Sequence, residues 1–195
     1  MIKKEDVIKF FGKAAKSWDA EMIKDDEIIN TILDNSKVGE GCNLLDVACG
    51  TGVLIPYYTV RNVGKVTAID IAPEMAEIAK RKYESRSVCV ICGDIETEVF
   101  SEKFERIVVY NAFPHFPDPE MLIRRLSSLL CRGGVLTVAH GMSREKIDGF
   151  HKGDAFHISN GLMSAEELSG IFEKYLTVTK VISDDKMYQV VGEKI

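Results

Sequence analysis

The chain has 195 residues, of which 46% are hydrophobic and 28% are charged, and its formal net charge at pH 7 is −5. This size and composition are typical of one globular domain with a substantial core, so we expect a single domain over residues 1–195. The acidic balance and the lack of a dense Lys/Arg run argue against nucleic acid as the main partner, with a basic patch formed in three dimensions left open.

The N-terminal segment and the cysteines favour a cytoplasmic protein. Glu5 and Asp6 follow the first lysines directly and no apolar segment comes after them, which argues against a secretory signal. No apolar run reaches the roughly 18 residues that a membrane-spanning helix needs. The cysteine count is odd and most cysteines lie in apolar stretches, so we expect reduced, buried thiols. The cysteines are Cys42, Cys49, Cys89, Cys92 and Cys131.

The first 38 residues are predicted to form a helical cap. Apolar residues recur at helical spacing over residues 3–35, and a break near Ser17-Trp18-Asp19 separates two helices. Gly39-Glu40-Gly41 is a predicted turn.

From residue 43 to residue 139, apolar strands alternate with amphipathic helices. The predicted strands are Asn43–Val47, Lys65–Ile69, Ser87–Cys92, Phe104–Tyr110 and Gly134–Ala139. The predicted helices are Val53–Val60, Pro73–Tyr83 and Pro119–Leu130, with Gly133-Gly134 ending the last one. Continuously apolar strands separated by such helices predict an α/β fold, in which a mostly parallel sheet is covered by helices on both faces.

The pattern changes after residue 140. Residues 141–160 are predicted to form a polar, glycine-containing loop, which we interpret as a lid over the substrate. Ser164–Tyr175 is a predicted helix that opens with a capping-box pattern. Leu176–Ile182 and Met187–Glu193 alternate as strands do and are predicted to pair as a C-terminal antiparallel hairpin, which brings the sheet to seven strands.

Polar residues stand at the ends of four predicted strands. Gly50-Thr51-Gly52 follows the first strand and opens a helix, as a nucleotide-binding loop does, although the tripeptide alone is as typical of an ordinary tight turn. Ligands bind at the carboxyl edge of open α/β sheets, and a carboxylate at the tip of the second strand is placed to hold a ribose diol. Each residue alone fits a helix cap, but four together favour a binding site. The four are Asp46, Asp70, Asp94 and Asn111.

The segment Leu45–Gly52 resembles the first motif of class I, Rossmann-like, S-adenosylmethionine-dependent methyltransferases. Ala68–Met75 resembles their ribose motif, Gly93-Asp94-Ile95 their adenine motif, and Arg132–Leu136 the stretch before their fifth strand. The chain is similar to the methyltransferases of ubiquinone and menaquinone biosynthesis. The resemblance covers about residues 40–140, and Phe11–Asp19 resembles that group's cofactor-covering helix more loosely.

The resemblance implies that the cofactor is S-adenosylmethionine, that the product is S-adenosylhomocysteine, and that the fold is Rossmann-like. Asp70 would bind the ribose hydroxyls, Ile71 and Met75 would sandwich the adenine, and Asp94 with Ile95 would bind its amino edge. The methionine part would be held by the loop after the first strand and by the end of the fourth. These residues are Asp46, Ala48, Gly50, Thr51, Gly52, Asn111 and Ala112. Ala48 stands where many family members have glycine.

His115 is the candidate general base, because it follows the fourth strand at the ligand edge and an ordinary histidine titrates near neutral pH. A histidine that only packs between prolines and aromatic residues is an equal alternative. Trp18, His140 and His151 are predicted to contact the substrate. The spacing of the histidines matches no tight ligand motif, so we expect no metal. Phe113, Phe150 and Phe156 fit either lid contacts or core packing, and Cys89 and Cys92 point to opposite faces of a strand, which argues against a metal or redox pair.

We therefore expect methyl transfer to a small-molecule acceptor. Asn111 is followed by Ala-Phe-Pro and not by the motif of amino-group nucleic-acid methylases, but tRNA and protein acceptors stay open. A nicotinamide-dependent oxidoreductase is disfavoured because Ile55 stands where the third glycine of its loop would be. A non-catalytic module that binds S-adenosylmethionine is the remaining alternative.

Overall fold

The protein is described by a computed structural model that covers residues 2–151 and 156–195, without the side chains of Phe150, His151 and Phe156. Its N-terminal part contains three helices, α1 (Lys4–Ala14), α2 (Trp18–Glu21) and α3 (Asp26–Asn35). The predicted break falls between α1 and α2. The Asp25 carboxylate accepts the N–H groups of Glu27 and Ile28 and so caps α3.

Seven strands form one sheet with helices on both faces. The strands are β1 (Asn43–Val47), β2 (Lys65–Asp70), β3 (Val88–Cys92), β4 (Phe104–Tyr110), β5 (Leu130–His140), β6 (Thr177–Ser183) and β7 (Tyr188–Glu193). Their order is β3-β2-β1-β4-β5-β7-β6, in which the first five are parallel and β7 is antiparallel to both of its neighbours. The remaining helices are α4 (Ile55–Val60), α5 (Pro73–Tyr83), α6 (Pro119–Leu129), α7 (Arg144–His151) and α8 (Ala165–Phe172). The predicted fold class is confirmed.

The central strands are apolar on both faces because both faces are covered. Leu44 packs with α3 and α4 on one side of the sheet, whereas the next residue, Leu45, packs with α6 and α8 on the other. Both side chains are fully buried. This two-sided burial explains the continuous apolar runs of the strands.

Strand β5 begins earlier than predicted. Helix α6 ends at Leu129, and Leu130 is already extended and lies opposite Phe104 of β4. A bulge then shifts the register, and Gly133 takes a φ of 73° within it. Gly133-Gly134 therefore forms an irregularity within the strand and not the end of a helix. Glycines suit both roles equally well, so the sequence does not distinguish them.

The prediction that residues 141–160 form a loop was wrong for the segment that is helix α7. Ile147 is buried in that helix, and a short 3₁₀ helix, Phe156–Ile158, follows after residues 152–155, which lie outside the described part of the chain. Two or three turns with one buried apolar residue leave too weak a periodic pattern to be recognised among polar residues.

The expected burial of the cysteines is correct for Cys42 and Cys49 only. Cys131 is half-buried, and Cys89 and Cys92 are exposed. Strand β3 lies at the edge of the sheet. Helix α5 covers one side of this strand, whereas Cys89 faces the other side. In the described ranges, no helix has the length and hydropathy needed to cross a membrane.

Gly192 of β7 lets helix α8 approach the sheet closely. A Cβ atom at this position would lie 2.7 Å from Phe172 Cδ1 and 3.0 Å from Leu176 Cβ. We expect Gly192→Ala to lower the free energy of unfolding by about 1–3 kcal/mol, because the packed side chains must move apart. Gly170→Ala in α8 is the matched control, since a Cβ atom at that position would meet nothing within 4 Å.

Gly170→Ala is expected to raise the free energy of unfolding by up to about 1 kcal/mol, because alanine is the better helix former. Urea unfolding of both variants measures the difference. Equal effects of the two substitutions would contradict the close packing of α8 on β7.

Candidate functional site

A cavity lies at the carboxyl edge of the sheet, under α1 and α2. It is lined by residues that follow β1, β2, β3 and β4 and by side chains of the N-terminal helices. Many of the predicted site residues meet there, and they are Trp18, Ala48, Gly50, Asp70, Ile71, Met75, Asp94, Ile95, Asn111, Ala112 and His115. The topology therefore brings four strand ends to one site, as the sequence indicated.

Three alternate residues of the loop after β1 have backbone φ angles in the left-handed region. Ala48 and Gly50 each have a φ of 55°, and Gly52 has a φ of 86°. A positive φ is uncommon for a residue other than glycine, so Ala48 carries a strain that glycine would avoid. Gly52 does not line the cavity: a Cβ there would lie 2.8 Å from Tyr83 and 2.9 Å from Ile55. Gly50 faces the cavity, whereas Gly52 allows close packing behind it.

The Asp70 carboxylate fixes this loop. Its Oδ2 accepts the N–H of Gly50 at 2.8 Å, and its Oδ1 accepts the N–H of Ala72 at 2.8 Å. Burial raises the pKa of Asp70, while the two N–H donors oppose that rise. Asp70 thus lines the cavity and at the same time joins the ends of β1 and β2.

Asp46 lies behind the loop and not in the cavity. It is 2% exposed, and its Oδ2 has no hydrogen-bond partner among the described residues. Burial, with the charge of Asp70 as a second cause, raises the pKa of Asp46 to about 8, although the Tyr58 hydroxyl acts in the opposite direction. Asp46 is therefore protonated at neutral pH.

Residues 4–21, which we call the strap, cover the cavity. Near its start, Lys4 Nζ lies 2.5 Å from both Asp94 Oδ2 and Glu96 Oε2. Near its end, the Thr51 hydroxyl donates to Asp19 Oδ1 at 2.5 Å, and Lys82 Nζ donates to Asp19 Oδ2 at 2.9 Å.

The middle of the strap is held by apolar and aromatic contacts. Ala15 is buried against Met75, and the rings of Phe11 and Trp18 meet edge to face with their centres 5.5 Å apart. Lys4, Phe11 and Trp18 all line the cavity. The strap therefore forms one wall of the site, and Thr51 contributes by holding it and not by lining the cavity.

His115 lies in the 3₁₀ helix Phe113–His115 that follows β4. Its Nδ1 is 2.9 Å from the carbonyl oxygen of Ile158, and its ring centre is 5.0 Å from that of Phe11. Because a carbonyl oxygen only accepts, Nδ1 carries a proton, and in the neutral form of the imidazole the lone pair would therefore be on Nε2. A second hydrogen bond joins the same two segments, because the backbone N–H of Asn160 donates to Pro114 O at 2.9 Å.

The part of the cavity at the end of β4 also contains Asn111 and Tyr110. Asn111 has a φ of 53°, and its Oδ1 accepts the N–H of Gly141 at 3.0 Å. Burial raises the pKa of Tyr110 to about 12, so its phenol stays protonated at neutral pH. Tyr110 ends an apolar strand and was not among the predicted site residues.

Of the predicted substrate residues, His140 is not brought to the cavity. His140 is buried, its ring centre lies 6.0 Å from that of Tyr188, and it does not line the cavity. His151 ends α7, and its side chain lies outside the described residues. No group of three or more His, Cys, Asp or Glu side chains in the described ranges is arranged to hold a metal ion.

Several residues of the site were not predicted from the sequence. Lys4, Glu96 and Tyr110 line the cavity, whereas Phe11 and Asp19 lie in the segment that was expected, from the looser resemblance, to cover the cofactor. Glu96 follows Asp94 by two residues, and this proximity to a predicted adenine motif was the only pattern that pointed to it.

The chain matches known methyltransferases in sequence and in fold. A family model described as a methyltransferase domain matches residues 45–138. The malonyl-[acyl-carrier protein] O-methyltransferase of Acetivibrio thermocellus is 33% identical over 70% of this chain and 49% of its own length. The ubiquinone biosynthesis O-methyltransferase of Coxiella burnetii is 28% identical over 69% of this chain and 61% of its own length.

The fold is shared with the N-methyltransferase NodS of Bradyrhizobium japonicum in complex with S-adenosyl-L-homocysteine. The TM-score is 0.72 at 17% identity, and 97% of each chain is covered. The chain spans about half the length of the first curated relative that it matches. The predicted resemblance and fold, and the S-adenosylmethionine cofactor that they imply, agree with these comparisons.

The buried carboxyl of Asp46 predicts a specific pH dependence of stability. Its pKa is raised from 3.8 to about 8 on folding, so the unfolded chain releases this proton between these values while the folded chain keeps it. The contribution of Asp46 to the free energy of unfolding therefore falls as pH rises through this window, on the order of 1 kcal/mol per pH unit. Below this window, the contribution of Asp46 to the free energy of unfolding does not change with pH, because the carboxyl is protonated in both states.

We expect Asp46→Asn to remove this decline. The free energy of unfolding of the variant should therefore exceed that of the wild type by the largest amount near pH 8. Urea unfolding at several pH values from 5 to 8 measures the difference. Asp185→Asn, at an exposed position, is the control and should leave the decline in place. A constant difference between Asp46→Asn and the wild type would show that Asp46 does not change its protonation in this range.

Proposed function

We propose that the protein is an S-adenosylmethionine-dependent methyltransferase that acts on a small, uncharged acceptor molecule, because residues 45–138 match a methyltransferase-domain family and the fold is shared with a known methyltransferase. The observation that carries this proposal is the covered cavity at the carboxyl edge of the sheet, with its charged side chains at one end and aromatic side chains at the other. The relatives that are named for small-molecule acceptors support it.

The residues at the β2 and β3 end of the cavity suit an adenosine. Ile71, Met75 and Ile95 provide apolar walls for a flat base, and Asp70 stands at the tip of β2 where a ribose diol would bind. Asp94 lines the same end of the cavity, where the predicted contact to the amino edge of the base would lie.

The loop after β1 suits the methionine part. Gly50 lines the cavity without a side chain, so a ligand can approach its backbone, and Trp18 lies above it. Asn111 and Ala112 line the next stretch, after β4. When bound, S-adenosylmethionine supplies an electrophilic methyl group on a sulfonium.

The acceptor would enter the β4 end of the cavity. Tyr110 ends β4 and Phe116 follows it, and the ring of Phe11 lies 5.0 Å from that of His115. The charged lining residues Lys4, Asp70, Asp94 and Glu96 come from the strap and from the ends of β2 and β3. An uncharged, apolar or aromatic acceptor loses little hydration there, whereas an ionised one would find no counter-ion. The strap lines the cavity, and the carbonyl oxygen of Ile158 contacts His115, so we propose that the strap acts as a cap and that the described part of the segment 141–160 acts as a lid.

His115 would act as the general base. The Ile158 carbonyl holds the proton on Nδ1, so Nε2 is the nitrogen that takes a proton from the acceptor. The protein otherwise contributes by holding nucleophile and methyl group in line and by excluding water. Macromolecular acceptors are the alternative, and the net charge of −5 does not favour tRNA.

Calorimetry and a turnover assay test the proposal together. We expect binding of S-adenosylmethionine and S-adenosylhomocysteine but not of NAD. Release of S-adenosylhomocysteine is then measured with a panel of phenols, catechols, amines and thiols, with charged acids, tRNA and protein extracts as separate arms. Binding without turnover on any arm would identify a non-catalytic module, and no binding would contradict the proposal altogether.

Replacing His115 tests the proposed base. With an acceptor that must lose a proton, His115→Ala is expected to lower kcat by roughly 10²- to 10⁴-fold, because proton removal is then left to water. We also expect kcat of the wild type to rise with pH as the general base loses its proton, and this rise should be absent from His115→Ala. Affinity for S-adenosylhomocysteine should stay within about threefold of the wild type, since the cofactor contacts of the site are kept. An unchanged kcat would contradict the role of His115.

A further inference from the structure

A second cavity adjoins the 3₁₀ helix that carries His115. Its volume is about 630 Å³, which is within the usual range for a cavity that holds a small ligand. It is lined by residues of this helix, by the start of α6, by helix α7 and by the residues that lead into α8. The cofactor site described above lies in the first cavity, so the second cavity has no role in it.

Residues 113–117 form a wall that the two cavities share. His115 and Pro117 line the first cavity, whereas Phe113 and Pro114 line the second. Among the described residues, Phe116 is the only one that lines both cavities. Phe116 is half-buried, and it marks the place where a ligand would reach from one cavity into the other.

Hydrogen bonds hold the backbone of this wall. The N–H of Asn160 donates to Pro114 O at 2.9 Å, and the side-chain amide of Asn160 donates to Phe116 O at 3.1 Å. The N–H of Phe116 donates to Phe113 O at 3.2 Å. Because both backbone groups of Phe116 are engaged, its side chain is the part of the wall that can change conformation, by a change of rotamer.

The two charged side chains that line the second cavity are paired within the protein. Arg144 Nε donates to Leu162 O at 2.7 Å, and Asp148 Oδ1 accepts the N–H of Leu162 at 3.1 Å. Their charges are opposite, and Arg144 Nε lies 3.7 Å from Asp148 Oδ2. A ligand would therefore meet a cavity wall whose described charges balance. Its apolar lining residues are Phe113, Pro114, Phe116, Pro119, Leu162 and Met163.

We propose that the second cavity binds the apolar, non-reacting end of an elongated acceptor, whose reacting end lies beside His115 in the first cavity. This inference rests on the proposed function. The acceptor would be an uncharged molecule with a nucleophilic group at one end and an alkyl or aryl tail at the other. Its tail would pass Phe116 and displace water from apolar surface, which is favourable in proportion to the area covered.

Calorimetry of the protein saturated with S-adenosylhomocysteine tests the proposal, with the series from 4-methylphenol to 4-heptylphenol as probes. The affinity of the wild type is expected to rise about threefold for each added methylene group that enters the second cavity. Met163→Trp places a larger side chain in that cavity, so the rise should stop at the shorter members of the series. The affinity for 4-methylphenol should stay within about threefold of the wild type.

Met163→Leu is the matched control, because leucine is apolar and of similar volume, and it should keep the rise. Thermal unfolding shows whether each variant is folded. Should Met163→Trp fail to fold, Phe116→Trp, which enlarges the wall where the two cavities meet, is expected to stop the rise as well.

The outcomes separate this inference from the function on which it rests. An affinity of the wild type that does not rise along the series, or that rises equally in Met163→Trp, would overturn the role of the second cavity and leave the proposed function standing. The same holds where S-adenosylhomocysteine binds but none of the phenols does, since the turnover assay with other acceptors tests the function separately. A wild type that does not bind S-adenosylhomocysteine would contradict both.

Discussion

The hydrogen bond between the Gly50 N–H and the Asp70 carboxylate is the contact on which the site depends. It joins the ends of two neighbouring parallel strands. It also holds the loop after β1 in a conformation in which Ala48 has an unfavourable positive φ. The same carboxylate accepts the first N–H of the turn that leads into α5. Burial is the main cause of the raised pKa of Asp46, and the charge of Asp70 is the second cause, so Asp70 acts both on the loop and on the carboxyl behind it.

The strap closes the cavity through contacts of two kinds. Its ion pairs, at Lys4 and Asp19, are partly exposed, and such pairs contribute only about 0–1 kcal/mol each. Its apolar middle, where Phe11, Ala15 and Trp18 pack on α5 and on each other, supplies a contact that does not depend on charge. The charged ends therefore specify where the strap lies, while the apolar middle contributes more of the free energy that keeps it there.

The sequence predicted the parts of the site that local patterns encode. Strands β1, β2 and β4 were recognisable because burial on both faces makes them apolar throughout, and Asp70, Asp94 and Asn111 were placed at one edge because parallel strands end together. Lys4 and Glu96 are 92 residues apart in the chain, so no periodic pattern indicates that they meet. The start of β5 was misplaced because Gly133-Gly134 suits a helix end as well as a bulge, and His140 was expected at the edge although β7 buries it beside Tyr188.

The distribution of charge along the cavity separates two tasks. Asp70, Asp94, Glu96 and Lys4 all lie at the β2 and β3 end, where the carboxylates outnumber the ammonium. Asp46 would add another negative charge close to Asp70, but its burial keeps it protonated at neutral pH. In the proposed function this charged end would match a cationic nucleoside cofactor, while the β4 end has no carboxylate or ammonium group among its lining side chains. In the proposed function, selection of the acceptor therefore depends on shape and on one proton-accepting nitrogen, and the charges of the site serve the cofactor and the strap.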